Sequence, residues 1–314
     1  MSSMQSASTC FVHELNQNAK NDLQGWVASC EQRYRQQVLA AVHEIVSNTG
    51  KDRIVLMAGP SSSGKTTTAQ ILREELKDRG VDSVTVSLDD FYLPPDCFPV
   101  LPNGKYDYDA VECLDLPRLR ACFSELIIEN RTVVPRFDFC QVRQVGEREI
   151  VVDDDTVVIA EGIHALNPRL ISPDLADRFF RIYISTQTDF VDQGEVVLSA
   201  RDLRLLRRML RDYYHRNSSF NNTLDMWGSV CAGEDKNIRP FMHEADFLID
   251  STHQYEPLLY HQSLFPLLVD TKWENSVHRE KAERLQKALI QFGYLPEDIV
   301  PKNSLIREFL RDFH

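Results

Sequence analysis

A lysine and a threonine set in a run of small residues are the first candidates for chemistry in this chain. Gly59, Pro60, Ser61, Ser62, Ser63, Gly64, Lys65 and Thr66 fit the pattern G-x-x-x-x-G-K-[ST] at every fixed position, and Thr67 continues it. In such a loop the backbone N–H groups present partial positive charge to phosphate oxygens, and Gly64 allows close backbone approach. Lys65 can then reach the β and γ phosphates, and the Thr66 hydroxyl can ligate Mg²⁺. Carboxylates close two other apolar runs: Asp89 and Asp90 end "TVSLDD", and Glu161 ends "VVIAE". A carboxylate beside a γ-phosphate can orient or deprotonate an attacking hydroxyl, and a second can hold Mg²⁺ through water. Asp90 reads equally well as the cap of a strand–loop junction. In "RDLRLLRRMLRDYYHR", Arg201, Arg204, Arg208 and Arg211 form one helical stripe, beside an apolar stripe of Leu203, Leu206 and Leu210. Such a helix could close its arginines over transferring phosphates. No NKxD occurs and no DxxG follows a strand-like run, which argues against a GTPase and leaves a small-molecule kinase.

These groups need strand ends to converge. "RIVLMAG" reads as a buried strand running into the loop, with Thr66 to Arg79 as the helix leaving it. "DSVTVSL", "TVVIAEG", "RFFRIYIS" and "EADFLIDS" read as further strands of the same sheet, and "FPLLVD" as an edge strand. "TVVPRFDF" and "EIVVDDD" read as two strands with "VGERE" as the turn between them. Helices are predicted over Gly25 to Ser47, Leu116 to Asn130, Leu203 to Arg216 and Val277 to Phe292. Apolar strands alternating with helices specify an α/β fold of three layers, with a parallel sheet covered on both faces. Ligands in such a sheet sit beyond the carboxyl ends of the strands, where Lys65, Asp89 and Glu161 fall.

Composition narrows the alternatives. The 314 residues carry 35 Lys+Arg against 47 Asp+Glu, a formal charge of -12, which argues against a nucleic-acid partner. Seven scattered cysteines, an odd number without a CxxC pair, suggest neither a disulfide framework nor a zinc site, and fit a reducing compartment. No apolar run approaches the roughly 20 residues needed to span a bilayer. The N-terminus lacks the apolar core of a secretory signal. A cytoplasmic location without a membrane partner is expected. Residues 1–23 are expected as a poorly ordered tail and residues 24–314 as one kinase domain, with a lid at about residues 200–220 and C-terminal helices at about 275–314 on the same core.

The ordered set "GPSSSGKTT", "SLDDFY", "YDYDA", "PRFDF", "EGIHALN", "RLLRRMLRDYYHR" and "EADFLID" resembles the uridine kinase/phosphoribulokinase family of P-loop kinases, over about residues 53–257. "MWGSVCAGEDKNIRPF" and "VPKNSLIREFL" resemble a uridine-kinase-like branch whose longer members carry an N-terminal TGS domain; the expectation here is the kinase unit without it. The resemblance implies a P-loop NTPase fold with an arginine-rich helical lid, ATP or GTP as phosphoryl donor, Mg²⁺, and a small-molecule hydroxyl acceptor, a nucleoside first. It carries no implication against a homo-oligomer. Residue by residue, Asp89 matches the acid that activates the acceptor hydroxyl, and Tyr92 and Asp109 match acceptor-side positions. Phe137 and Phe139 match aromatics that stack near a base. Glu161 matches the Mg²⁺-associated glutamate, and Arg207, Arg208, Arg211 and Arg216 match lid arginines.

Two departures bear on the acceptor. Val142 stands where pyrimidine-reading members carry a histidine, and "YDYDA" is one residue shorter than the family pattern. Uridine is therefore not the expected favourite. His164 reads as a packing residue more than a catalytic base. The rivals are a kinase for a sugar phosphate or pantothenate-like alcohol, and a nucleotide-binding regulatory module without turnover. Retention of Lys65, Thr66, Asp89, Glu161 and the arginine helix argues against the latter.

Overall fold

The computed structural model describes residues 8–47, 54–101, 104, 106–138 and 141–311. Strand β1 (Ser8–Phe11) leads directly into helix α1 (Val12–Ser47). The helix breaks at Asp22, whose carboxylate accepts from the Gly25 N–H at 2.9 Å and starts the second half, matching the helix predicted from Gly25. The expected tail is thus corrected over residues 8–23. β1 pairs in parallel with a later strand, and Val12 and Leu15 are buried. That pairing lies 180 residues away in sequence, so no local pattern announces it.

The all-buried β2 (Ile54–Ala58) runs into the loop that opens α2 (Lys65–Lys77), followed by β3 (Ser83–Ser87) and α3 (Leu116–Ile128). An antiparallel hairpin, β4 (Arg131–Asp138) and β5 (Arg143–Val151), comes next. "VGERE" is not its turn: those residues lie within β5. Arg136 pairs with Gly146 and Phe137 with Gln144, so the glycine marks a bulge instead. Then follow β6 (Val157–Glu161), β7 (Phe179–Ser185), β8 (Thr188–Asp192), β9 (Glu195–Leu198), α4 (Ala200–His215) and α5 (Phe220–Asn237). The chain continues with β10 (Phe247–Asp250), α6 (Glu256–Ser263), α7 (Phe265–Asp270) and α8 (Ser276–Leu289). α7 is the segment read as an edge strand. Pro266 in its first turn is compatible with helix and would break a ladder.

The central sheet has the order β10-β7-β2-β6-β3, all parallel. Its two faces bury separate apolar cores. One takes α1, α2, α4 and the C-terminal segment; the other takes α3 and the hairpin. β1, β8 and β9 form a smaller sheet that sequence periodicity does not reveal, because β8 and β9 are short and partly polar. Among the described residues no helix is long and apolar enough to cross a membrane.

Candidate active site

Register places the site. Met57 of β2 and Ser87 of β3 both pair with Glu161 of β6, so the three strands end in one row. The phosphate-type loop departs two residues beyond Met57, and Asp89 stands two residues beyond Ser87. Ser87 Oγ donates to Glu161 Oε1 at 3.1 Å and orients that carboxylate. Beside them opens a cleft of about 530 Å³ lined by Thr66, Thr67, Gln70, Ser87, Asp90, Arg148 and Glu161.

Loop geometry explains its small residues. A Cβ on Gly59 would lie 2.0 Å from the Ile184 carbonyl oxygen, so only glycine fits between β2 and β7. Gly64, at φ +89°, turns the chain into α2. α2 begins without a side-chain cap, which leaves first-turn N–H groups aimed into the loop. Among the described residues the buried hydroxyls Ser62 Oγ and Ser63 Oγ have no hydrogen-bond partner. Unpaired buried donors, a bare helix N-terminus and a lysine are the chemistry that a polyphosphate satisfies.

Charge in the site is held under desolvation. Burial lowers the Lys65 pKa, opposed by the nearby Glu161 and Asp89 carboxylates. Desolvation raises both Asp89 and Glu161 above the usual carboxylate range, with Lys65 pulling each back down. Asp89 nonetheless keeps an accessible face. Among the described residues no group of three or more His, Cys, Asp or Glu side chains could by itself hold a metal. The oxygen donors of Thr66, Asp89 and Glu161 suit a magnesium ion that shares its shell with phosphates.

Helix α4 lies directly on the loop, and its arginines divide. Arg204 Nη1 donates to the Ser61 carbonyl at 3.1 Å, and Arg208 Nη1 to Ser61 Oγ at 2.9 Å. Arg208, Arg211 and Arg216 gather on the buried Asp212 carboxylate at 3.2, 3.2 and 3.7 Å. Arg216 is mostly exposed and helps offset the raised pKa of Asp89. Arg207 departs from the expected lid role. It is fully buried and its fork grips Glu256 through Nε and Nη2, both at 2.7 Å, with Nη2 also on the Ser251 carbonyl. Arg201 bonds to Asp235, and Arg204 to Glu234.

On the acceptor side, Tyr92 and Phe137 are buried with ring centroids 5.9 Å apart, and Phe98 closes on Tyr92 at 6.0 Å. Asp90 Oδ1 accepts from the Phe137 N–H at 3.3 Å, so Asp90 anchors the hairpin to the strand end. Phe139 lies outside the described residues. Asp109 packs against α5, where a Cβ on Gly233 would lie 2.5 Å from its Oδ2, and desolvation with help from Asp107 raises its pKa to about 6. His164 is buried with both ring nitrogens unpartnered among the described residues, and burial lowers its pKa to about 4, which leaves it neutral. Val142 is exposed on the hairpin at φ +50°. Sequence reading missed Arg148 and Glu308. The first lies in a strand that is exposed along nearly all its length and the second 241 residues beyond the Thr67 it touches, so neither carried a local signal.

A phosphate-binding loop at the central strand of a parallel sheet, with carboxylates on the adjoining strand ends and an arginine helix packed on the loop, defines a P-loop kinase. The Phosphoribulokinase / Uridine kinase family model matches residues 54–256, and the chain belongs to that family. The uridine kinase of Saccharomyces cerevisiae is 26% identical over 258 residues, covering 81% of this chain and 46% of that protein, less than half its length. The uridine kinase of Ureaplasma parvum serovar 3 is 26% identical over 233 residues, covering 74% of this chain and 100% of that protein. A solved structure of a possible uridine kinase from Bacillus stearothermophilus aligns with TM-score 0.46 at 17% identity, over 69% of this chain and 98% of that one.

Proposed function

We propose that the chain is an ATP-dependent kinase that transfers the γ-phosphoryl group to a hydroxyl of a small molecule, with a nucleoside as the first candidate. The observation that carries this reading is the shared register of β2, β3 and β6, whose ends hold the uncapped phosphate loop, Asp89 and Glu161 in one row. Gly59, Ser61, Ser62, Ser63, Gly64, Lys65 and Thr67 would cradle the donor phosphates. Asp89 would take the acceptor proton as the new O–P bond forms and the bond to the leaving ADP breaks. Desolvation raises its pKa, which makes it a stronger base than an ordinary carboxylate. Arg208 and Arg211 would offset charge on the transferring group. Mg²⁺, when bound through Thr66, Asp89 and Glu161, neutralises phosphate charge. Tyr92, Asp109 and Phe137 stand on the acceptor side.

A second reading has its own support. Tyr92 and Phe137 are buried in a tilted pair and Tyr92 also meets Phe98 edge-on, which leaves little ring surface for a planar base and favours a non-aromatic alcohol. ADP release measured against uridine, cytidine, inosine, guanosine, sugars and vitamin alcohols separates the two. With Val142 in the histidine position, uridine is not expected to have the highest kcat/KM among the nucleosides. Lys65→Ala is expected to abolish turnover and weaken ATP binding while melting like the wild type. A folded Lys65→Ala protein with normal turnover would remove the assignment.

A further inference from the structure

We propose that Glu308 is a residue of the donor site and weighs the charge of the donor, an inference that rests on the kinase reading above. The C-terminal turn Leu305–Phe309 is seated on the phosphate loop. A Cβ on Gly64 would lie 2.4 Å from Leu305 Cδ1, and the Phe309 ring lies 5.1 Å from the Arg207 guanidinium carbon. Leu305, Ile306, Phe309 and Leu310 are fully buried, and Ser304 Oγ accepts from the Ile306 N–H at 3.1 Å. The turn is therefore anchored, and what it delivers is a carboxylate. Thr67 Oγ1 donates to Glu308 Oε2 at 2.6 Å. Thr67 is the third residue of α2, in the first turn where N–H groups have no intrahelical partner. The same carboxylate favours the charged forms of Lys65 and Arg211 and disfavours that of Glu161, which puts it within the electrostatic field of the cradle.

A carboxylate on that hydroxyl holds a place that a phosphate oxygen would take. An incoming polyphosphate must displace Glu308 from Thr67 or approach against its charge, and the opposition grows with the number of phosphate charges. Glu308 thereby lowers affinity most for the most highly charged ligand and keeps the site from holding bare polyphosphate tightly.

The test is calorimetric titration of the full chain and of Glu308→Gln, which keeps the shape and the acceptor but not the charge, with ATP, ADP and AMP and no added divalent metal. Glu308→Gln is expected to bind ATP about tenfold tighter and ADP about threefold tighter, with AMP nearly unchanged, and the ATP gain should shrink at high salt. Unchanged or weaker ATP binding by folded Glu308→Gln, or a gain equal for all three nucleotides, overturns the proposal. Failure of the wild type to bind ATP would overturn the kinase reading as well. Should Glu308→Gln melt below the wild type, Glu308→Ala must show the same ordering of gains.

Discussion

Asp89 and Asp109 are both carboxylates whose surroundings resist ionisation, but their consequences differ. Asp89 keeps an accessible face and is coupled electrostatically to Lys65, so its proton affinity matters to rate. Asp89→Asn is expected to lower kcat by about 10²–10⁴-fold, measured by steady-state kinetics. The wild-type rate should fall on the acid side at a pH above the ordinary carboxylate range, because Asp89 must be ionised to accept a proton. Asp109 acts on stability. It takes its proton at about pH 6 when folded, against roughly 3.9 when unfolded. Between those values the folded chain holds more protons, so stability falls as pH rises through that window. Asp109→Asn should therefore gain about 1–2 kcal/mol at pH 7.5, allowing for solvent screening, and nothing at pH 4. Urea denaturation at the two pH values checks this, and an equal gain at both would show that the raised pKa is not its source.

α4 shows how one helix serves two purposes. Its residues repeat arginine so densely that the sequence supports a stripe of cations, but neighbouring elements decide what each cation does. α6 presents Glu256 to Arg207 and α5 presents Glu234 to Arg204, which makes these two arginines ties between helices and the loop. Arg208 and Arg211 remain at Ser61, positioned by Asp212. Arg207→Ala leaves the buried Glu256 without its counter-charge and should cost about 3–5 kcal/mol in chemical denaturation. Arg211→Ala should cost little stability and lower kcat by about 10²–10³-fold. If Arg207→Ala were as stable as the wild type and merely slow, the division of roles would be wrong.

At the scale of the whole molecule, residues near both ends of the chain complete the core around the phosphate loop. Glu31 of α1 accepts from Ser304 Oγ at 2.7 Å and from Tyr255 Oη at 2.5 Å, and His215 of α4 bonds to the Leu310 carbonyl at 2.9 Å. Deleting residues 304–314 removes, among the described residues, four fully buried apolar side chains, each worth about 1.5–3 kcal/mol. The sum rivals the roughly 5–15 kcal/mol that stabilises a typical domain. The truncated chain is expected to lose its cooperative thermal transition by circular dichroism, including the part that holds the loop. A truncated protein that melts like the wild type would show the C-terminal turn to be dispensable.

What was legible beforehand had a short-range cause. The loop from Gly59 to Thr66 could be read because glycine, lysine and threonine at fixed spacing are needed within one turn of chain. The central strands could be read because burial on both faces demands unbroken apolar runs such as "IVLMA" and "VVIA". Asp89 and Glu161 followed from those strands, since their ends must lie side by side in a parallel sheet. Partners distant in sequence had no such signature. The ordering of residues 8–23 depends on pairing with β8, and the helical state of "FPLLVD" on packing against α6 and α8. The choice of Glu256 for Arg207 and the arrival of Glu308 at Thr67 were likewise decided by tertiary contacts, because a charge finds its partner through the fold and not through its neighbours along the chain.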